Sequence, residues 1–121
     1  MKYQSTLLAV RNMERSRRFY CDLLGMTITA DFGANITLSD CVSLQTLDTW
    51  KGFIHREESE ILLGSNAAEL YFEEEDMDGF LKRLAATPDI EYVHPPMEHA
   101  WGQRSCASMT RTGISSRWGK T

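Results

Sequence analysis

Residues 16–26, SRRFYCDLLGM, constrain the fold more than any other stretch of the chain. Phe19, Tyr20, Leu23 and Leu24 recur at i, i+1, i+4 and i+5, which lays an apolar stripe along one face of a helix, and Gly25 supplies a stop. Strand-like residues lead in, LLAV at 7–10, and lead out, MTITADF at 26–32. A helix this short buries its stripe against the sheet that those strands begin. The rest of the chain must therefore build on a strand, helix and return strand.

The first strand, read over residues 2–10, sets Thr6, Leu8 and Val10 on one face and Ser5, Leu7 and Ala9 on the other. Asn12 is placed to cap a helix over 13–24. Two further strands follow at 35–38 and 41–47, the latter with Ser43, Gln45 and Leu47 on one side. Gly33, Asn35 and the Ser39-Asp40 pair supply the turns between them. Residues 48–59, DTWKGFIHREES, read as a charged linker that carries Trp50 and Phe53.

The order of elements then recurs. AELYF at 68–72 is a strand, and 75–86 is a helix with Met77, Phe80, Leu81 and Leu84 at i, i+3, i+4 and i+7, capped by Asp76. DIEYVH at 89–94 is the return strand, with Pro95-Pro96 expected to end it. Met13 and Met77 hold corresponding helix-start positions, so the period is about half the chain. The fold class is α+β, two βαβββ modules whose curled sheets form a cleft. The first half spans about 1–54 and the second about 60–121, within one domain.

Composition excludes several classes. A net charge of -4 without a basic stripe argues against a nucleic-acid surface. No apolar run reaches membrane-spanning length, and the first ten residues are too polar for a signal peptide. Cys21, Cys41 and Cys106 have no metal-ligand spacing and leave one thiol over in any disulfide scheme, which predicts reduced thiols in a cytoplasmic protein.

After residue 104 the pattern breaks. EHAWGQR at 98–104 begins a strand, but SCASMTRTGISSRWGKT at 105–121 loses alternation and acidic residues together, the composition of a solvated tail. The genetic code offers another origin. If the coding frame slipped after Arg104, each original codon joins the last base of one present codon to the first two of the next. Across Met109 and Thr110 that codon must be GAC, aspartate, and across Trp118 and Gly119 it must be GGG, glycine. Permitted choices elsewhere give VVRFYDPDGHIIEVGE over 105–120, two strands joined by a DPDG turn. Serines and an arginine in place of two isoleucines and a glutamate would cost a buried strand on the order of a few kcal/mol. The end of the second half is therefore expected to be aberrant: displaced, exchanged with a partner, or loosely ordered.

The stretches TLLAVRNMERSRRFYCDLLGM, NAAELYFEEEDMDGFLKRL and WGQR (101–104) resemble the vicinal-oxygen-chelate superfamily: glyoxalase I, bleomycin-resistance proteins and extradiol dioxygenases. The resemblance implies a small-molecule ligand in the cleft and a homodimer. It also implies a divalent metal, zinc, nickel or manganese, bound from the first and last strands of each half, which stabilises an enediolate formed by proton abstraction. Ser5, Gln45 and Glu69 occupy three of those positions, and Arg117 stands at the fourth, where the alternative frame reads glutamate. On this alignment Gln45 and Glu69 are the metal ligands, with Glu69 the catalytic base. Ser5, Gln45, Tyr71, Trp101 and Arg104 line the substrate site. Serine is a poor ligand and arginine cannot ligate, so a metal would be weak or absent.

Each of these residues also has a structural reading. Glu69 suits a strand start, Gln45 a satisfied buried amide, Trp101 a core position and Arg104 a surface strand. His94 and His99 flank a proline turn at a spacing that suits no zinc pair. Two functions follow from the resemblance. One is a lactoylglutathione-lyase-like enzyme of the glyoxalase type. The other is a metal-free binding protein that sequesters an aromatic or cationic ligand, with Trp50 and Trp101 as pocket aromatics.

Overall fold

The structure is a computed structural model that describes residues 1–64, 67–88, 90–98, 100, 104–109 and 115–120. The side chains of Val93 and of residues 104–109 and 115–120 fall outside that description. The chain divides into two compact units, Met1–Leu63 and Gly64–Thr121.

In the first unit β1 (Thr6–Val10) buries Leu8 and Val10 and leaves Leu7 exposed, the alternation its sequence predicts. Asn12 then caps α1 (Met13–Arg17) by accepting from the Arg15 amide at 3.0 Å. The helix does not stay α. Over Arg18–Leu23 it widens into a π turn, and the Leu24 amide donates to the Phe19 carbonyl at 3.1 Å. Bonding of this kind aligns residues four and five apart, which suits the i, i+1, i+4, i+5 stripe. Phe19, Tyr20 and Leu23 are buried by it, with the Phe19 and Tyr20 rings edge to face at 5.1 Å. Gly25 ends the helix at φ 74°, where a side chain would be strained.

Strands β2 (Ile28–Asp31), β3 (Asn35–Leu38) and β4 (Val42–Thr46) complete a four-stranded sheet in the order β1-β4-β3-β2. β4 lies parallel to β1 and antiparallel to β3. Ser39 and Asp40 make the β3–β4 turn, both at positive φ, and Cys41 closes it by donating to the Leu38 carbonyl at 3.1 Å. The core of this unit lies on the helix side of the sheet, where Ile36, Leu38 and Leu44 join Leu8, Val10 and Tyr20. Arg17 ties the helix to β2 through Asp31, whose other oxygen accepts from the Gly33 amide at 2.9 Å. These bonds, the Gly33 amide first and then Arg17, hold the Asp31 carboxyl below its ordinary pKa.

The expected linker is not irregular. α2 (Leu47–Phe53) follows β4 directly, and a 3-10 turn occupies Glu58–Glu60. Leu47 is buried and Trp50 half-buried, so the segment belongs to the first unit.

The second unit repeats the plan. β5 (Glu69–Glu73) leads to α3 (Met77–Ala86), which Asp76 caps by accepting from the Gly79 amide at 3.0 Å. Met77, Phe80 and Leu84 are buried, as their spacing predicts. β6 (Glu91–Glu98), β7 (Arg104–Met109) and β8 (Ser115–Lys120) complete a sheet in the order β5-β8-β7-β6. Each unit is therefore βαβββ with the same strand order, and the class is α+β as the sequence implies.

Two expectations fail here. Pro95 and Pro96 do not end the return strand; β6 runs through them. It is the edge strand, and its register shifts between Tyr92 and His94 and again between His94 and Met97, so the prolines sit where no ladder donor is required. Nor is the tail displaced. The backbone of residues 115–120 pairs in its own unit, parallel to β5 and antiparallel to β7. Ladder bonds are made by amides and carbonyls that every non-proline residue carries, so loss of side-chain alternation does not prevent the pairing.

Candidate functional site

The sequence-predicted site residues fall into two sets, one in each unit. In the first, Ser5 is half-buried just before β1, whose Thr6 pairs with Val42, whereas Gln45 sits near the far end of β4 opposite Ala9, so the structure does not bring the two together. Gln45 is 4% exposed and stands cross-strand from Ala9 on one side and Asn35 on the other. With Leu7, Ser43 and Thr37 these residues form the sheet face opposite the helix.

The environment of Gln45 decides what it can do. Its Oε1 accepts from Asn35 Nδ2 at 2.7 Å, and its Nε2 donates to Thr49 Oγ1 at 2.5 Å. Thr49 Oγ1 lies 2.6 Å from Thr46 Oγ1 and donates to the Thr46 carbonyl at 3.0 Å. The amide is thus held by β3 on one side and the first turn of α2 on the other. Sequence reasoning missed Asn35 and Thr49 as its partners. The signal available was a polar residue at 35 facing 45 across an antiparallel pair, and a threonine four residues beyond Gln45.

In the second unit Glu69 opens β5 and Tyr71 follows two residues on, so both share one face; Glu69 is exposed and Tyr71 is 41% exposed. Arg104 is the first residue of β7, paired with Glu98 and Lys120. Trp101 and His99 lie outside the described residues. Cys21 and Cys41 are free thiols, and burial followed by the neighbouring Asp22 pushes the Cys21 thiol up. The Cys106 side chain lies outside the description.

A depression of about 270 Å³ also opens on the first unit, lined by Arg11, Thr46, Leu47, Asp48 and Glu58. Arg11 and Glu58 pair across it at 2.5 Å with both side chains about half exposed. Screening by solvent leaves such a pair little net strength.

The donor set does not fit a divalent metal. Ser5 offers only a neutral hydroxyl and lies at the other end of the strand pair from Gln45, Gln45 offers only a neutral amide oxygen already bonded to Asn35, and residue 117 is an arginine, which cannot ligate. Among the described residues no group of three or more His, Cys, Asp or Glu is placed to hold an ion. Nor, among them, is any helix long and apolar enough to cross a membrane.

Residues 3–109 match the glyoxalase-like domain family. Among solved structures, a protein of unknown function from Agrobacterium tumefaciens str. C58 is 30% identical, with all of this chain and 94% of that one covered at a TM-score of 0.86. A glyoxalase/bleomycin resistance protein/dioxygenase from Nocardioides is 17% identical, with 99% and 83% covered and a TM-score of 0.75. Lactoylglutathione lyase from Agrobacterium tumefaciens is 16% identical, with 98% and 92% covered and a TM-score of 0.68. The last two likenesses concern the fold alone. None of the curated proteins matches the sequence.

Proposed function

The chain belongs to the glyoxalase-like domain family, and from that premise we propose that it is a binding protein that holds a small molecule without a metal. One observation carries this reading. The Gln45 amide, at a position the resemblance gives to a metal ligand, is spent on an internal chain from Asn35 to Thr49. With one lone pair of that oxygen held by Asn35, the amide is fixed in place and has a single neutral lone pair left for a metal, a weak contribution. Ser5 cannot make up the shortfall, because it precedes Thr6, the partner of Val42, at the other end of the strand pair from Gln45, and a neutral hydroxyl is a weak ligand.

Recognition on this reading comes from shape and side-chain polarity on the exposed face of the second unit, where Glu69 and Tyr71 share one side of β5. An aromatic or cationic ligand suits exposed tyrosine and glutamate side chains. We further propose a homodimer and a cytoplasmic setting. The test is titration of chelator-treated protein with a panel of aromatic and cationic small molecules, followed by tryptophan fluorescence. Saturable quenching that zinc, nickel and manganese leave unchanged is the expected result. Glyoxalase activity restored by any of those metals would overturn the reading in favour of a lyase.

A further inference from the structure

The depression on the first unit holds two opposite charges that are only weakly joined. It opens where the parallel strands β1 and β4 end: Arg11 follows Val10, which is cross-strand from Thr46, and Leu47 and Asp48 begin α2. Glu58 reaches it from the 3-10 turn. Both contributing segments are held from behind. The Gln45 side chain, 4% exposed, donates to Thr49 and so fixes the first turn of α2. The Glu60 carboxylate accepts from the Glu57 amide at 2.9 Å and closes the turn that carries Glu58. Buried Leu47 contributes apolar surface, and Asp48 already has Lys51 as its partner at 3.5 Å.

We propose that this depression binds a small zwitterion, a molecule with one ammonium and one carboxylate such as a free amino acid. Its volume of about 270 Å³ falls just short of the roughly 300–1,000 Å³ that drug-sized ligands fill, so the ligand is small. The pairing across it selects the charge type. Solvent screens the Arg11–Glu58 pair, so opening it costs little. A lone anion would take Arg11 and strand Glu58; a lone cation would take Glu58 and strand Arg11. A zwitterion gives each a partner. The Arg11 guanidinium donates to its carboxylate, its ammonium donates to Glu58, and one ion pair is exchanged for two. Gln45 enters only as a support for α2, so the inference stands whether or not the second unit binds an aromatic or cationic ligand.

The experiment is an NMR titration of the full chain, followed at its backbone amides. Glycine, alanine, serine and γ-aminobutyrate are the probes, with acetate and ethylamine as controls that carry one charge each. Saturable shifts are expected at Arg11, Leu47, Asp48 and Glu58, with the best zwitterion about tenfold tighter than either control. Arg11→Gln and Glu58→Gln, with folding checked by thermal melts, should each reduce zwitterion affinity to that of a control. Absence of saturable shifts would overturn the inference, as would equal binding of acetate or ethylamine. So would zwitterion binding that survives both variants, or shifts confined to residues 69–73. Failure of the aromatic and cationic panel to quench tryptophan fluorescence would overturn the metal-free binding reading and leave this one standing.

Discussion

The two units share a strand order and a connection pattern, yet their free sheet faces differ in kind. In the first unit that face is neutral and closed: Ser43 and Gln45 are buried, and the Gln45 amide is satisfied from both sides. In the second it is charged and open, with Glu69, Tyr71 and Glu73 all exposed along β5. Both units carry a capped helix, and on the strand before it the apolar residues alternate with the face just described, Leu8 and Val10 on β1 and Leu70 and Phe72 on β5. The contrast teaches that the same strand order holds although the two faces differ in chemistry. That face is free to change its chemistry without changing the topology.

Several substitutions would sharpen or break that contrast. Leu44→Ala, in the core of the first sheet, should cost about 2–5 kcal/mol, and Phe80→Ala under the second sheet about 3–5 kcal/mol; denaturant unfolding measures both. Gln45→Ala should come next, at about 1–3 kcal/mol, because it strands Asn35 and Thr49, whereas Glu69→Gln on the open face should leave stability within about 0.5 kcal/mol. Equal costs at the two positions would erase the proposed difference between the faces. Removing the caps should cost the two helices alike, about 1 kcal/mol each for Asn12→Ala and Asp76→Ala, read as shifts in melting temperature.

The smallest effect concerns pH. Asp31 has a lowered pKa in the folded chain, through the Gly33 amide and then Arg17. Its contribution is present above the unfolded-state pKa and is lost as pH falls through the folded value, because the unfolded chain binds the proton first. Asp31→Asn should therefore flatten the acid limb of the stability profile below about pH 4 and leave the neutral range little altered in slope. An acid limb of unchanged steepness in this variant would show that Asp31 is not among its causes.

Much of this architecture is legible in the chain, because the determinants are local. Asn12, Gly25, the Ser39-Asp40 pair and Asp76 each act within a few residues, through a cap or a positive φ. α2 was hidden for the opposite reason. Seven residues with Gly52 inside and charges at 48 and 51 are too few for a helical period to stand out, and Leu47 is buried by tertiary contacts. Pro95 and Pro96 mislead because tolerance of proline depends on strand position, and an edge cannot be told from a centre by sequence. Side-chain alternation likewise carries no information about the ladder bonds that place β8. For the candidate site, residue types were readable, but the partners of Gln45 lie ten residues back and four residues on. Whether residues 105–121 arise from a slipped frame is a question for the coding DNA and an intact mass, and a gene with no nearby frame encoding VVRFYDPDGHIIEVGE would end that idea.

The insertion of β8 between β5 and β7 governs the order in which a growing chain can complete its structure. Glu69 meets Ser115, so strands emerging from the ribosome early must wait for a partner 46 residues later (115 − 69). The first unit has the same arrangement over 36 residues, from Thr6 to Val42 (42 − 6). Until the fourth strand of a unit arrives, its first and third strands each present an open edge to any other chain. A nascent chain stalled or cut before Ser115 would hold a closed first unit and two unpaired edges in the second. Such a product is a target for chaperones and proteases, and its fate depends on six residues of backbone more than on their side chains.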